Sequence, residues 1–348
     1  MYKFNIMKKL AFFFCVLLLA ACSQTSDSDE TSTTATSSPK VEAPFSVNKS
    51  AAVTHEHLRL YAVEAPDEHI LRHSDLAGLK NLKEAISTKG FHITEKKPYG
   101  RFEDTDAVNS LTIQNKSQDT IYLMAGDVVK GGKQDRLIAQ DMIVPPRTIT
   151  DISVFCVEPH RWNYEGNPDE TSEEQAARDK KIFAFTGYYN VASNEIRKTA
   201  KQTKNQKAVW EKVGEWTAAN NAKSDSGSYT NLENSEDYTS KRNQYLKVFL
   251  NDFKNSNNTV GIIAVSGDKV LGCDIFNHPD LFDKQLPGLL HSYITDAITK
   301  GSAIDVTDGK IDRYVDSIKR NYSQELVGAK ETESKFRYNG KIVHFTQL

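Results

Sequence analysis

The chain is poor in cysteine and lacks the short motifs that mark common catalytic sites. Its 348 residues include four cysteines and no CxxC or HExxH pattern, so the sequence predicts no metal. The Walker loop spacing, GxxxxGK(S/T), and the GxSxG elbow of serine hydrolases are both missing, so we also predict no cofactor and exclude such a hydrolase. Two of the cysteines, Cys156 and Cys273, lie after Cys22 in the chain. They either pair in an oxidising compartment or lie buried as free thiols.

A strong positive charge is also absent. The chain has 44 basic and 46 acidic residues, and removal of residues 1–21 takes away Lys3, Lys8 and Lys9. The remaining 41 basic residues against 46 acidic ones give a net charge of −5. Because nucleic-acid binding depends on clustered positive charge, this balance argues against nucleic acid as the main partner.

The amino-terminal segment has the pattern of a bacterial signal peptide. Lys8 and Lys9 precede an apolar run, residues 10–21, that is shorter than the roughly 20 residues a membrane-spanning helix needs. The run ends in Leu-Ala-Ala-Cys22, which resembles the lipobox of bacterial lipoproteins, whose cysteine carries diacylglycerol. The alternative is an ordinary signal peptide that is cleaved near Ala21.

The next segment, residues 22–45, is rich in serine, threonine and acidic residues and has few large apolar ones. Such a composition cannot bury enough surface to become ordered, so we predict a disordered tether between the lipid and the domain. Its acidic residues 27–30 resemble the export signal of surface-exposed lipoproteins, or they belong to a solvated linker. We predict a cell-envelope protein that is lipid-anchored through Cys22, at the outer membrane, in the periplasm or exposed at the cell surface.

Residues 46–348 predict a single domain of the α+β class. Short runs rich in valine, isoleucine and threonine predict an antiparallel meander in the first half, as a sandwich or a strongly curved sheet. The predicted strands are residues 108–115, 120–125, 136–144 and 149–157. The second half predicts helices and a small sheet: helices over residues 191–221 and 236–254, a hairpin over residues 259–276, a helix ending at Gly301 and a tail hairpin turning at Asn339-Gly340.

The helix predicted over residues 191–221 is strongly basic. It carries Arg197 and lysines at positions 198, 201, 204 and 207. One interpretation is a surface that binds an anion or a partner protein. The other is a solvated helix face.

Two polar clusters adjoin the apolar runs of the first half. Cluster 130–136 reads KGGKQDR, and cluster 158–162 reads EPHRW. The adjacent glycines of the first cluster permit positive φ, so their N–H groups form either an anion-binding nest or only a tight turn. The predicted ligand-binding residues are Lys130, Gly131, Gly132, Lys133, Gln134, Arg136, Arg161 and Asp274.

The same clusters contain the candidate catalytic groups. Glu158, Asp135 and His160 are candidate general acids or bases beside strand ends. The alternative is a structural lattice of acidic residues and arginines, with Trp162 in the core or as a stacking platform. A shared site requires both clusters to lie at the same end of the sheet, and residues 274–293 to complete a cleft.

Four segments together resemble the bacterial ARG and rhodanese-phosphatase-superfamily-associated protein family. They read GGKQDR, FCVEPHRW, GIIAVSGDKVLGCDIFNHPDLF and LLHSYITDA, and the resemblance covers roughly residues 58–302. The family name records gene neighbourhoods with ADP-ribosylglycohydrolases and phosphatases, which implies an association and not a mechanism. This sequence differs from that of a cytosolic family member because it has a signal peptide and a lipobox. These two features do not fit an intracellular role with ADP-ribose.

These features support three hypotheses for function. The first is an anchored protein that binds an anionic small molecule, either nucleotide-derived or a sugar phosphate, through Lys133, Arg136 and Arg161. The second is a hydrolase of phosphorylated or ADP-ribosylated substrates, with Glu158 or Asp135 as the base and the arginines stabilising charge. The third is a structural or partner-binding lipoprotein whose basic helix is the interface.

The lipobox interpretation predicts that Cys22 is the lipidated residue. Cells grown with radioactive palmitate should label the wild-type protein. They should not label Cys22→Ser, which lacks the thiol that accepts the lipid. Cys15→Ser, within the apolar run, is the matched control and should still be labelled. Labelling that persists in Cys22→Ser would refute the interpretation.

Overall fold

A closed barrel and a seven-stranded sheet contain most of the strands of this chain. The computed structural model describes residues 43–95, 109–161, 184–253, 257–324 and 335–348. The predicted signal peptide, Cys22, the tether up to residue 42 and Trp162 lie outside the described residues.

The strands are β1 (Ser46–Val47), β2 (Val53–His55), β3 (Leu58–Glu64), β4 (Lys80–Asn81), β5 (Phe91–Glu95), β6 (Ser110–Asn115), β7 (Ile121–Leu123), β8 (Asp127–Gly131), β9 (Arg136–Ile138), β10 (Met142–Val144), β11 (Thr148–Cys156), β12 (Ala184–Val191), β13 (Thr259–Ser266), β14 (Lys269–Phe276), β15 (Lys335–Tyr338) and β16 (Lys341–Gln347). The α-helices are α1 (Asp67–Arg72), α2 (Leu82–Ile86), α3 (Asn194–Thr203), α4 (Gln206–Ala219), α5 (Glu236–Phe253), α6 (Pro279–Lys300) and α7 (Asp308–Ser323).

The barrel is antiparallel and has six strands in the order β11-β6-β5-β12-β8-β9. Along β6 buried residues alternate with half-exposed ones, so Leu111 and Ile113 share one face. They pack with Ile93, Val129 and Val154 from neighbouring strands. The predicted β-rich first half is confirmed, and its strongly curved sheet closes on itself, which leaves no open edge among these six strands.

The seven-stranded sheet combines strands from both ends of the chain. Its order is β1-β3-β13-β14-β16-β15, with β2 also paired to β3. The hairpin predicted over residues 259–276 is confirmed as β13 and β14. The tail hairpin is confirmed too, because Asn339 and Gly340 have the positive φ values of a two-residue turn, 50° and 77°. The sheet is larger than predicted because β1, β2 and β3 join it.

Helices cover both faces of this sheet. On one face Ile262 belongs to a core cluster with Phe249 of α5 and Leu289 of α6. On the other face Ile263 packs in a cluster with Ile318 of α7. Strand β13 is buried at every position, which explains its continuous apolar run. The α+β class is confirmed, and no helix in the described ranges has both the length and the hydropathy to span a membrane.

Packed structure begins inside the segment that the composition assigns to the tether. Ala43 and Phe45 are buried, and the Phe45 ring meets the Tyr322 ring edge-on at 5.1 Å between centroids. A large aromatic residue at the end of a serine-rich and threonine-rich stretch is the sequence feature that marks this start.

The helix predicted over residues 191–221 is in fact two helices, so that prediction was wrong in its continuity. Lys204 ends α3 in the left-handed conformation, with φ of 49°. Asn205 then caps α4 by accepting a hydrogen bond from Ala208 N at 3.1 Å. A residue with positive φ ends an α-helix, and the break separates Arg197 on α3 from Lys207 on α4.

The two cysteines of the described domain, Cys156 and Cys273, are buried free thiols. Cys156 ends β11 in the barrel, whereas Cys273 lies in β14 of the seven-stranded sheet. The buried-thiol alternative is therefore confirmed for this pair.

Candidate functional site

The two polar clusters predicted from the sequence lie against each other. Asp135 N donates a hydrogen bond to Glu158 Oε2 at 3.0 Å, and Gln134 Nε2 donates to the Glu158 carbonyl oxygen at 2.8 Å. Arg161 Nη2 donates to the Gly131 carbonyl oxygen at 3.2 Å. The expectation that both clusters lie at the same end of the sheet is confirmed.

Asp135 is buried and accepts four hydrogen bonds. Its Oδ2 accepts from Ser228 Oγ and Thr230 Oγ1, both at 2.9 Å. Its Oδ1 accepts from Gly131 N at 3.2 Å and from Arg161 Nη2 at 3.4 Å. A carboxylate with four donors has the arrangement of the structural alternative, and its catalytic role stays a prediction.

Arg136 is fully buried beside Glu95. Its Nη2 lies 3.3 Å from Glu95 Oε1, and its Nη1 donates to Gln134 Oε1 at 2.9 Å. Gly132 packs over this pair, since a Cβ there would lie 2.8 Å from Glu95 Oε1 and 2.5 Å from the Phe185 ring. Close packing, together with a φ of 55°, explains why position 132 is occupied by glycine.

Accessible side chains at this end of the barrel come from both clusters. Lys130, Lys133 and His160 are exposed, and the Arg161 side chain is 40% exposed. Glu158 is buried, and its Oε2 accepts a hydrogen bond from Arg161 Nε at 2.7 Å. The ligand-binding and catalytic roles assigned to these residues stay predictions.

A cleft of about 660 Å³ lies at the other end of β8. Its lining also includes Leu137, the residue that follows Arg136 of cluster 130–136 on β9. The first wall is the outer face of the barrel, where Leu137 of β9 and Phe155 of β11 are paired neighbours. The second wall is formed by the seven-stranded sheet, with Lys335 and Phe336 of β15. The cleft therefore lies between the two main β structures.

Helix α3 and its C-cap form the third wall. Arg197, Lys201 and Lys204 are spaced four and three residues apart, so they share one helix face, and all three line the cleft. Lys198 and Lys207 each pair with a glutamate on their own helix, at 4.0 and 3.8 Å. The basic series noted in the sequence thus divides between the cleft and ordinary surface ion pairs.

Four ionisable side chains form a row beneath the floor of the cleft. Arg197 donates to both oxygens of Asp274, from Nη1 at 3.0 Å and from Nη2 at 2.6 Å. His344 Nε2 lies 3.1 Å from Asp274 Oδ1, and its Nδ1 lies 2.8 Å from Asp141 Oδ2. Tyr293 OH donates to Asp274 Oδ2 at 2.6 Å. Asp274, which the sequence assigned to ligand binding, therefore holds Arg197 in place against the cleft.

Mutual attraction sets the charge states in this row. Burial acts to raise the pKa of Asp274, but Arg197 and His344 outweigh it and hold that pKa well below its usual range. Burial acts to lower the pKa of His344, yet the neighbouring carboxylates of Asp141 and Asp274 raise it. Both shifts favour the charged forms of these side chains over their neutral forms.

Sequence reasoning missed Asp141 and His344 and misjudged Arg197. The first two pair across a separation of 203 residues, and neither stands in a motif. Arg197 was treated as part of a basic helix face, whereas it is only 4% exposed. The signal that could have singled it out is its helical spacing from Lys201 and Lys204.

The sequence model of one protein family, the ARG and Rhodanese-Phosphatase-superfamily-associated Protein domain, matches residues 46–347 of this chain. The chain belongs to this family. The match spans the barrel, the seven-stranded sheet and both polar clusters, and it confirms the resemblance noted in the sequence. Comparisons with curated proteins and with solved structures gave no match. Within the described ranges of this family member, no group of three or more His, Cys, Asp or Glu residues is arranged to hold a metal ion.

Gly126 leaves the space that Arg197 occupies in this family member. Its φ is +103°, and a Cβ there would lie 2.7 Å from Arg197 Cγ. Because Asp274 holds the guanidinium at two points, we expect Gly126→Ala to lower the free energy of unfolding in urea by about 2–4 kcal/mol. Gly214→Ala in α4 is the control, since a Cβ there meets nothing within 4 Å. It should stabilise by about 0.5–1 kcal/mol. Equal stability of Gly126→Ala and wild type would contradict this explanation.

Asp127, the first residue of β8, binds its proton more tightly when the protein is folded. Met124 N and Tyr188 OH donate to its oxygens at 2.8 and 3.1 Å. Burial outweighs them and raises its pKa from 3.8 to about 7. Such a group contributes stability that is fully present below its unfolded pKa and is lost as pH rises through its folded pKa. Between about pH 5 and pH 7, the unfolding free energy of the wild type should therefore fall as pH rises. In Asp127→Asn this fall should be less steep by on the order of 1 kcal/mol per pH unit.

Urea unfolding of wild type and Asp127→Asn across this pH range provides the measurement. His291 acts in the opposite direction, because burial lowers its pKa to about 4, so the difference between the two proteins isolates Asp127. Asp305→Asn removes a carboxylate from the exposed surface and controls for the change in net charge. Parallel pH profiles for wild type and Asp127→Asn would show the assignment to be wrong.

Proposed function

We propose that this domain binds an anionic small molecule in the cleft between the barrel and the seven-stranded sheet. We also propose that a lipid on Cys22 holds the domain at a membrane of the cell envelope. A cleft with an excess of positive charge attracts anions. The observation that carries the proposal is the lining itself, which combines one acidic side chain, Asp141, with the cationic side chains of Arg197, Lys201 and Lys204.

Lys335 also borders the cleft, but its charged group lies on the other face of β15. It is buried, with 8% of its surface exposed, and its Nζ donates to the Gln324 carbonyl oxygen at 2.9 Å. Burial and the nearby Arg337 lower its pKa, so its surroundings disfavour the charged form. Its register partner is Phe345, which packs with residues of α7, so the ammonium group lies on the α7 side of β15.

The lysines at the end of α3 also have a simpler explanation. Lys201 lies in the last turn of the helix and Lys204 caps it, where cations complement the negative end of the helix dipole. Arg197 lies one turn earlier on the same face, so the three cations line the cleft along α3 and not only at its end.

Binding is favoured over hydrolysis by the contacts of the two predicted bases. The Asp135 carboxylate accepts four hydrogen bonds. Glu158 Oε2 accepts two, from Asp135 N and Arg161 Nε. A general base needs to accept a proton from the substrate within hydrogen-bond reach, and these contacts compete with that role. Assays for breakdown of each bound compound test the enzymatic alternative directly.

Titration calorimetry and thermal shift with nucleoside phosphates, sugar phosphates and inorganic phosphate test the proposal. We expect at least one of these anions to bind and to raise the melting temperature. Lys201→Met should weaken that binding about tenfold, because a hydrogen bond to a charged group contributes about 1.5–3 kcal/mol. Lys207→Met is the control, since Lys207 is exposed on α4 and pairs with Glu211 at 3.8 Å.

Two other outcomes separate the candidate sites. Lys133→Met removes a cation from cluster 130–136, and weaker binding in that variant alone would assign the ligand to the cluster. If none of the anions binds or shifts the melting temperature, the proposal is wrong for both sites.

A further inference from the structure

We propose that the ligand of this cleft is a nucleoside phosphate, whose planar ring lies against Phe155 and Phe336 and whose anionic group lies against the lysines. This inference rests on the proposed function and specifies its ligand class. It draws on aromatic, hydroxyl and cationic side chains that line the same cleft.

Two aromatic side chains line the cleft from different walls. Phe155 extends from the outer face of β11 in the barrel, and Phe336 extends from β15 in the seven-stranded sheet. Each packs against a core cluster, yet both remain only partly buried. Partly exposed aromatic rings in a cleft offer stacking surface to a flat ligand ring, and every nucleobase presents such a ring.

A buried hydroxyl without a partner supports a polar ligand group independently of the charges. Thr346 lines the cleft and is 8% exposed. Its Oγ1 has no hydrogen-bond partner in the described part of the chain. Buried hydroxyls are rarely left unpaired, because the lost hydrogen bond to water is not replaced. A sugar hydroxyl or a phosphate oxygen in the cleft would supply the missing partner.

The dimensions and order of these groups suit one molecule. Phe336 on β15 pairs with His344, so the two side chains share one face of the sheet and the aromatic ring lies beside the charged row. The cleft volume of about 660 Å³ falls within the usual range for small-molecule sites, roughly 300–1,000 Å³. Inorganic phosphate or a sugar phosphate would satisfy the cations and leave both aromatic rings uncovered. A nucleoside phosphate adds a planar ring that offers them a stacking partner.

Calorimetric titration of wild type with partial and complete ligands tests this inference. The ligands are AMP, GMP, CMP, UMP, ribose 5-phosphate and adenosine. We expect at least one nucleotide to bind about tenfold or more tightly than ribose 5-phosphate, because stacking of one base on aromatic side chains increases affinity roughly 5- to 100-fold. Adenosine should bind more weakly than AMP because it lacks the anion.

Substitution of the aromatic residues provides a second readout. Phe155→Leu and Phe336→Leu should each weaken nucleotide binding about fivefold or more and leave binding of ribose 5-phosphate unchanged. Tyr338→Leu, on the same strand as Phe336 but outside the lining, is the matched control. Melting curves without ligand establish that each variant is folded.

Each contrary result has a distinct meaning. Equal affinity for ribose 5-phosphate and all four nucleotides would overturn this inference and leave the proposed function intact. Equal losses for nucleotide and ribose 5-phosphate in the phenylalanine variants would overturn it too, because lost stacking affects only the nucleotide. Absence of binding by every phosphate compound would overturn both the inference and the proposed function.

Discussion

The buried ion pair of Arg197 and Asp274 is the interaction on which the arrangement of the cleft depends. It joins α3 to β14 in the seven-stranded sheet through two hydrogen bonds. Removing one member of such a pair leaves an uncompensated charge, which costs about 3–5 kcal/mol. Gly126 makes room for the guanidinium, and His344 extends the pair to Asp141 beside the barrel. The barrel, the sheet and α3 must therefore come together for any of these charges to be buried.

Strand β8 connects two polar systems of different character. At its Gly131 end, acidic and basic side chains pair with one another and with the backbone, as in a structural lattice. At the end that follows Gly126, Arg197 and the lysines line an open cleft. The stretch from residue 126 to residue 161 thus stabilises the barrel at one end and forms a wall of the cleft at the other.

Local patterns predicted most of the elements, but not the cleft. The hairpin over residues 259–276 was predicted at its observed bounds, because apolar runs and a glycine turn lie within one short segment. The contact between the polar clusters was predicted because both adjoin strands of one meander. No periodicity connects His344 with Asp141, which are 203 residues apart. Arg197 was misjudged because basic helix faces are usually solvated, and its burial depends on Asp274, 77 residues away.

The barrel is inserted in the chain between β3 and β13, two strands that pair with each other. Ala62 and Ile262 are partners in that pairing, so the sheet closes across the entire barrel segment. The barrel strands themselves pair within residues 91–191. Contacts between distant residues cost more chain entropy, so closing β3 onto β13 costs more than closing any pair of barrel strands. The cleft needs β15 and β16 as well, so its walls come from residues 125 to 348.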